Sequence, residues 1–354
     1  MTNMKVYQWA VGIMMCSCLC FFFFYVTTYI QQHSYSSLAY EKSFHEEKTI
    51  TTLSKAYVYE PGPITITFAG DLMMSGSIAD TVATYGVHHP FVYVKEEIQQ
   101  SDFAVVNLET AITERTESYP KSFHFKMPPH YVEGIKEAGF SLVSLANNHT
   151  MDYKEEGILD TINTLEKYEL PYVGAGRNKE EAYSAHTVDL KGKTVSFLGF
   201  SRVLPSETWY AQEDKPGIAS GYQIERMISI IEEEKKKADY VLVYIHWGVE
   251  RKQTPESYQV HYGKSMIDAG ADAIIGAHPH VLQPIEIYND KPIAYSIGNF
   301  LFPSYVSGPT AETGLLHIQL EEEQVSVDWS PYKIENDQIH PLPKEASPYG
   351  SIHP

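Results

Sequence analysis

The chain has 354 residues, 45 of them acidic and 27 basic, for a formal charge of −18, with 43% hydrophobic and 20% charged residues. Those proportions exclude a disordered tail protein and a collagen-like fibre, and leave length for one large domain or two small ones. No stripe of Lys and Arg interleaved with aromatics runs through this acidic chain, so it lacks the footprint that a phosphate backbone needs, and nucleic acid is not expected as a partner.

The first predicted element is an apolar run over 9–30 that carries no charge and contains all three cysteines, Cys16, Cys18 and Cys20. A run of this length crosses a hydrocarbon layer of ~30 Å as a helix and exceeds the ~7–15 apolar residues of a signal peptide. It predicts an uncleaved transmembrane anchor. Lys5 precedes it, which puts residues 1–8 in the cytoplasm and the bulk of the chain outside, as a single-pass protein of the cell membrane. A signal-peptidase site at Ser37-Leu38-Ala39 and a lipidation site around Met15-Cys16-Ser17-Cys18 are the lower-ranked alternatives. Residues 31–60, polar and without sustained period, read as an extracytoplasmic stalk that leads into Pro61-Gly62-Pro63.

From 61 to 331, short β-rich apolar runs alternate with amphipathic stretches. Strands are expected at 64–69, 103–107, 142–145, 195–200, 240–246, 273–275 and 293–297, and helices at 129–138, 155–168, 223–237 and 256–269. This alternation argues for an α/β domain with sheet covered by helices. The final stretch, 332–354, is rich in Pro, His and Ser and is expected to be a loose tail.

Five of the expected strands run into ligand-type residues: Asp71, Glu109, Asn147-Asn148-His149, His246 and His278-Pro279-His280. Strand ends that deliver carboxylate, amide and imidazole to one rim of a sheet make a metal-site pattern, since open α/β folds build their sites at that rim. Taken singly, Asp71 reads equally well as a helix cap, Glu109 better as a solvated loop charge, and Asn148-His149 with Asp152 as a capped helix start. His246 is harder to explain as core, because a buried imidazole needs a partner on each nitrogen. Two near-motifs fail: Tyr258 stands where the first glycine of a phosphate-binding loop ending at Tyr262-Gly263-Lys264-Ser265 belongs, and Ser118-Tyr119-Pro120-Lys121 fits Ser-x-x-Lys by chance. In Lys121-Ser122-Phe123-His124-Phe125-Lys126, bases lie among aromatics, and Lys126 and His124 are candidates to meet an anionic substrate, with an ordinary exposed hairpin as the equal alternative.

The order Asp, Glu, Asn-His, His, His-x-His resembles the metallophosphoesterase arrangement. The fuller strings GDLMMSG, NLET, SLANNHTMDY, VGAG, HWGVE, GADAIIGAHPHVLQPIE and YSIGNF resemble the CapA/PgsA branch, the poly-γ-glutamate capsule synthesis proteins, from about Ile64 to Phe302. The resemblance implies a four-layer αββα sandwich over 61–331 and a centre of two divalent ions. Glu109 would bridge them, Asp71 and His280 would complete one site, and Asn148, His246 and His278 the other. His149 would act as general acid, oriented by Asp152, while Glu250 or Asn299 would steady the ligands, Asn299 also being a candidate to touch substrate. Two ions ~3.5–4 Å apart can clamp both the attacking and leaving oxygens of an in-line displacement. Oxygen and imidazole donors favour manganese, iron or zinc over magnesium. Two departures stand out: Met73 takes the place of the usual histidine of Asp-x-His, and the bridge is Glu109 rather than aspartate.

The implied function is a membrane-anchored extracytoplasmic protein of poly-γ-glutamate synthesis, a dimetal-dependent hydrolase or phosphoesterase-like enzyme acting on an anionic envelope polymer or its precursor. Its implied partners are that polymer, the membrane and other membrane subunits of a polymer synthase. The alternative is a non-catalytic accessory subunit of such a complex.

Overall fold

The computed structural model describes residues 62–322 and 324–349. Its elements run β1 (Ile64–Leu72), α1 (Ser77–Tyr85), α2 (Lys95–Gln99), β2 (Phe103–Leu108), β3 (Ala111–Ile112), β4 (Lys126–Met127), α3 (Val132–Ala138), β5 (Leu142–Ser144) and α4 (Lys154–Lys167). There follow β6 (Tyr172–Val173), β7 (Ala175–Gly176), α5 (Lys179–Tyr183), β8 (His186–Leu190), β9 (Lys193–Ser201), β10 (Gly217–Ile218), α6 (Ile224–Lys235), β11 (Tyr240–His246) and α7 (Ser257–Asp268). The chain closes with β12 (Ala273–Ala277), β13 (Ile285–Tyr288), β14 (Lys291–Ala294), β15 (Asn299–Leu301), β16 (Glu312–Glu321), β17 (Gln324–Glu335) and β18 (Gln338–Pro341).

Two large sheets carry the fold. The first has the order β18-β17-β16-β1-β2-β5-β6, with β15 paired beside the end of β1, and the second β13-β14-β12-β11-β9-β8. β1, β2, β5 and β6 are mutually parallel, as are β9, β11, β12 and β14. Strands buried on both faces need apolar residues at every position, and each face then follows the two-residue period. Thus Ile64, Ile66 and Phe68 of β1, Phe103 and Val105 of β2, and Tyr240, Leu242 and Tyr244 of β11 meet in one core between the sheets. Val106 and Leu108 face outward onto a second core with Ile78 of α1, Ile135 of α3 and Ile158, Ile162 and Leu165 of α4. On the far side, Val241, Val243 and Ile245 pack against Met227 and Ile231 of α6 and Met266 and Ile267 of α7. The layers are therefore helix, sheet, sheet, helix.

The expected αββα layering agrees with this arrangement, and each expected strand has a counterpart, although the one expected at 293–297 is observed as β14 with an end at Ala294. The loose tail expected from 332 needs correction. Residues 332–335 complete β17 and 338–341 form β18, with Tyr332 and Ile339 buried. Pro331 and Pro341 disguise the pattern, because proline cannot donate to a ladder and argues against a strand. Here Pro341 lies on the edge strand β18, where proline is tolerated, and Pro331 lies in β17 just beyond its pairing with β18. The expected anchor at 9–30 and stalk at 31–60 lie outside the described residues. Among the described residues no helix is long and apolar enough to cross a membrane.

Candidate metal centre

The carboxyl ends of parallel strands from both sheets converge on one place. Asp71 and Asn107 sit opposite each other in the β1/β2 register, with Glu109 just beyond β2. His246 ends β11 and pairs in register with Ala277, the last residue of β12, which brings His278 alongside. Getting β15 this close to β1 requires Gly70, since a Cβ there would lie 2.0 Å from the Gly298 carbonyl oxygen. His278 and His280 flank Pro279 at φ +96° and +57°. Such conformations cost non-glycine residues on the order of 1–3 kcal/mol each and persist where the surrounding fold imposes them.

Within this cluster one donor atom per residue lies within 4.8 Å of the others in Glu109, His246 and His278, and likewise in Asp71, Glu109 and His280. Glu109 belongs to both groups. Its Oε1 is 3.7 Å from His246 Nε2, 3.8 Å from His149 Nε2 and 4.0 Å from His280 Nε2. Asn148 Oδ1 lies 2.7 Å from His246 Nε2 and so joins the first group. A third group brings exposed Glu250 to His278 and His280.

The electrostatics follow from burial. Glu109 is fully buried, and its carboxyl is raised well above the ordinary range by desolvation and then by Asp71. Desolvation pushes His246 well below the ordinary imidazole value and His278 down to about 3, with neighbouring histidines adding to each shift. His280 behaves differently: burial opposes its charge, but Glu109 and Asp71 overcome that and raise it to about 9. Both Glu109 oxygens and His278 Nδ1 are buried without a hydrogen-bond partner among the described residues. Orphaned acceptors of this kind are costly in a protein interior unless a cation or donor meets them. The orphaned atoms, the nitrogen and oxygen donor set and the shared carboxylate fit divalent cations.

His149 stands at the rim of the cluster. Its Nδ1 is 2.8 Å from Asp152 Oδ2 and 3.2 Å from Lys121 Nζ, and its Nε2 faces Glu109; the shorter contact, to a carboxylate, favours the tautomer with the proton on Nδ1. Asp152 is itself held by the Phe125 amide at 2.7 Å and by an ion pair from Lys121 to Oδ1. Lys121 Nζ also donates to the Asn148 carbonyl at 2.6 Å, which ties the Asn-His segment to the same lysine. Burial lowers the pKa of both His149 and Lys121, outweighing the opposing pull of Asp152.

Of the expected site residues, Asp71, Glu109, Asn148, His246, His278 and His280 come together, and His149 and Asp152 form a bonded pair beside them. Asn299 lies behind the ligands, with Oδ1 2.9 Å from His280 Nδ1 and Nδ2 donating to the Thr310 carbonyl. The two candidate substrate bases make backbone contacts: Lys126 Nζ bonds the Arg115 carbonyl over the Tyr153 ring, and His124 Nε2 contacts the Tyr119 carbonyl. Lys121, five residues earlier in the same segment, is the base that reaches the centre. Met73 is buried among Phe302, Ala311 and Ile334, in an apolar cluster rather than a ligand position. Asn107 has no role in the sequence reading, and Asn147 enters it only within the strand-end string Asn147-Asn148-His149. Asn107 Nδ2 donates to Asp71 Oδ1 at 2.7 Å and lies 3.4 Å from His246 Nδ1, while Asn147 Nδ2 donates to Asn107 Oδ1 at 3.1 Å. Only the Asn147-Asn148 repeat hints at them in the sequence.

A family model described as "Bacterial capsule synthesis protein PGA_cap" matches residues 65–304. The chain is similar to a capsule biosynthesis protein CapA of Bacillus anthracis, 33% identical over 287 residues, covering 79% of this chain and 69% of that one. It is also similar to a PGA biosynthesis protein CapA of Bacillus subtilis, 35% identical over 251 residues, covering 70% and 66%. It thus spans about two thirds of the length of these relatives. Among solved structures, an NAD nucleotidase of Haemophilus influenzae aligns over 79% of this chain and 54% of its own, with a TM-score of 0.48 and 10% identity.

Proposed function

The chain belongs to the bacterial capsule synthesis protein family PGA_cap, and from that premise we propose that it takes part in poly-γ-glutamate synthesis as a metal-dependent hydrolase or transferase. The substrate is an anionic envelope polymer or its precursor. The apolar segment 9–30 holds the protein at the membrane, with the described domain on the extracytoplasmic side and synthase subunits beside it. The observation that carries the catalytic reading is Glu109: a buried carboxylate, orphaned at both oxygens and common to two donor groups.

Asn148, His246, His278 and Glu109 would hold one divalent cation, and Asp71, Glu109 and His280 a second. Bound there, such cations supply Lewis acidity toward oxygen atoms of the substrate. The chain's own residues do the rest. Asn107 orients Asp71 and His246, and Asn299 orients His280. Asp152 keeps the first proton of His149 on Nδ1, so Nε2 is the nitrogen that delivers a proton to the leaving group.

The test is turnover by the full-length chain against γ-glutamyl and phosphoester substrates. The expected result is activity that vanishes on chelation, returns with manganese or zinc, and falls roughly 10²–10⁴-fold in His149→Ala. Activity indifferent to chelation overturns the reading. The accessory-subunit reading draws on Met73, which leaves the Asp71 group with three protein ligands. It predicts that ligand substitutions leave polymer production intact while deletion of residues 9–30 abolishes it.

A further inference from the structure

β9 ends at Ser201, which pairs in register with His246, and the next residue, Arg202, donates its amide to the His246 carbonyl at 2.8 Å. Arg202 therefore leaves its sheet at the same edge as the metal-ligand set. Its guanidinium carbon lies 3.6 Å from the Tyr258 ring centre, 4.9 Å from that of Tyr262 and 5.2 Å from that of Tyr222. At 3.6 Å the cation stacks on the Tyr258 face, so the aromatic cage covers a guanidinium face and leaves the N–H fork at its edge. The Gly248 amide donates to the Tyr258 hydroxyl at 2.7 Å and anchors that ring two residues beyond His246.

The cage lacks a counter-charge. Arg115 and Arg177 each pair with carboxylates, whereas Arg202 has no carboxylate partner among the described residues, and its buried Nε has no hydrogen-bond partner there. A fork of N–H groups held by stacking is matched in plane by a carboxylate, with the half-buried Tyr258 and Tyr262 rings shielding one side and Tyr222 open to solvent.

We propose that Arg202, caged by Tyr222, Tyr258 and Tyr262, is an anion subsite that receives a carboxylate of the substrate handled at the neighbouring metal centre. The inference rests on the proposed function for the identity of its ligand. The cage sets which part of a polycarboxylate lies beside the centre, while the ligand set itself is built without Arg202.

The experiment measures binding of a short γ-linked glutamate oligomer to the manganese-loaded full-length protein by calorimetry, with metal content determined for every variant. Arg202→Ala weakens binding about tenfold or more, the loss expected for a charge-assisted hydrogen-bonded pair. Arg202→Lys, which keeps the charge without the fork, falls between the two, and all retain the same ions. Methyl-esterified oligomer binds wild type and Arg202→Ala alike, a result that a merely structural arginine does not produce. Equal affinity of wild type and Arg202→Ala for the free acid, or a loss that tracks loss of metal, overturns the subsite. Arg202-dependent binding of inorganic phosphate without binding of the oligomer overturns the carboxylate assignment. Failure of the oligomer to bind wild-type protein that keeps its ions overturns the poly-γ-glutamate reading itself.

Discussion

The two halves of the centre share Glu109 but differ in how far the protein has already satisfied their donors. On the His246 side, burial keeps His246 and His278 uncharged, with His278 lowered to about 3, and His278 Nδ1 meets no partner among the described residues. On the Asp71 side, Asp71 already accepts from Asn107 at 2.7 Å and from the His278 amide at 3.2 Å, and lies 3.2 Å from His280 Nδ1. His280, raised to about 9, holds a proton at neutral pH that a cation must displace. The nearby Met73 adds no donor. His278 Nδ1 and Glu109 offer bare lone pairs on the first side, where His246 Nε2 already meets Asn148 Oδ1 at 2.7 Å, whereas the Asp71 side is a network that is nearly complete without metal; on the proposed two-ion reading the first is the tighter site and the second the exchangeable one.

The largest effect belongs to the shared residue. Glu109→Gln removes the charge common to both halves, so elemental analysis finds both ions lost, a weakening beyond the ~10–100-fold that supporting residues cause. The next effect separates the halves: His280→Ala retains one ion per chain, while His246→Ala loses the tight one and leaves only weak binding. The same asymmetry has a pH signature. His280 is protonated below about 9, so occupancy of the Asp71 half climbs as pH rises toward that value; His278, lowered to about 3, offers no proton competition at neutral pH. The raised Glu109 carboxyl is common to both halves and cancels in the comparison. Stepwise metal titration at several pH values measures the difference.

Smaller effects test the supporting residues. Asn107→Ala frees Asp71 and His246 together and lowers metal affinity about 10–100-fold in both halves. Met73→His is the change that restores the missing ligand type, yet its side chain enters an apolar cluster, so no gain in metal content is expected. Instead it destabilises the fold by about 1–3 kcal/mol through an unpartnered buried polar group, read as a lowered thermal midpoint. A firmly bound extra ion in Met73→His contradicts the placement of residue 73.

The ligands were legible because each sits where a long apolar run stops, and an apolar run is the strongest mark a buried parallel strand leaves. Asn107 left no such mark: it lies inside β2, and a buried amide within a strand looks like an interruption rather than a site. The segment around Lys121 was recognisable as a base among aromatics, but which lysine turns inward depends on tertiary contacts of the loop, and Lys121 rather than Lys126 reaches Asp152. Tyr332 and Ile339 are hidden by Pro331, which lies in β17 just beyond its pairing with β18, and by Pro341 of the edge strand β18. Arg202 carries no motif at all; its cage is assembled from Tyr222 before α6 and from Tyr258 and Tyr262 on α7.

The most direct measurement is electron paramagnetic resonance of the manganese-loaded full-length chain beside Glu109→Gln. A shared carboxylate predicts an exchange-coupled pair of ions in the wild-type protein and its disappearance in the variant. A wild-type spectrum of isolated ions, or coupling that persists in Glu109→Gln, contradicts a centre built around Glu109.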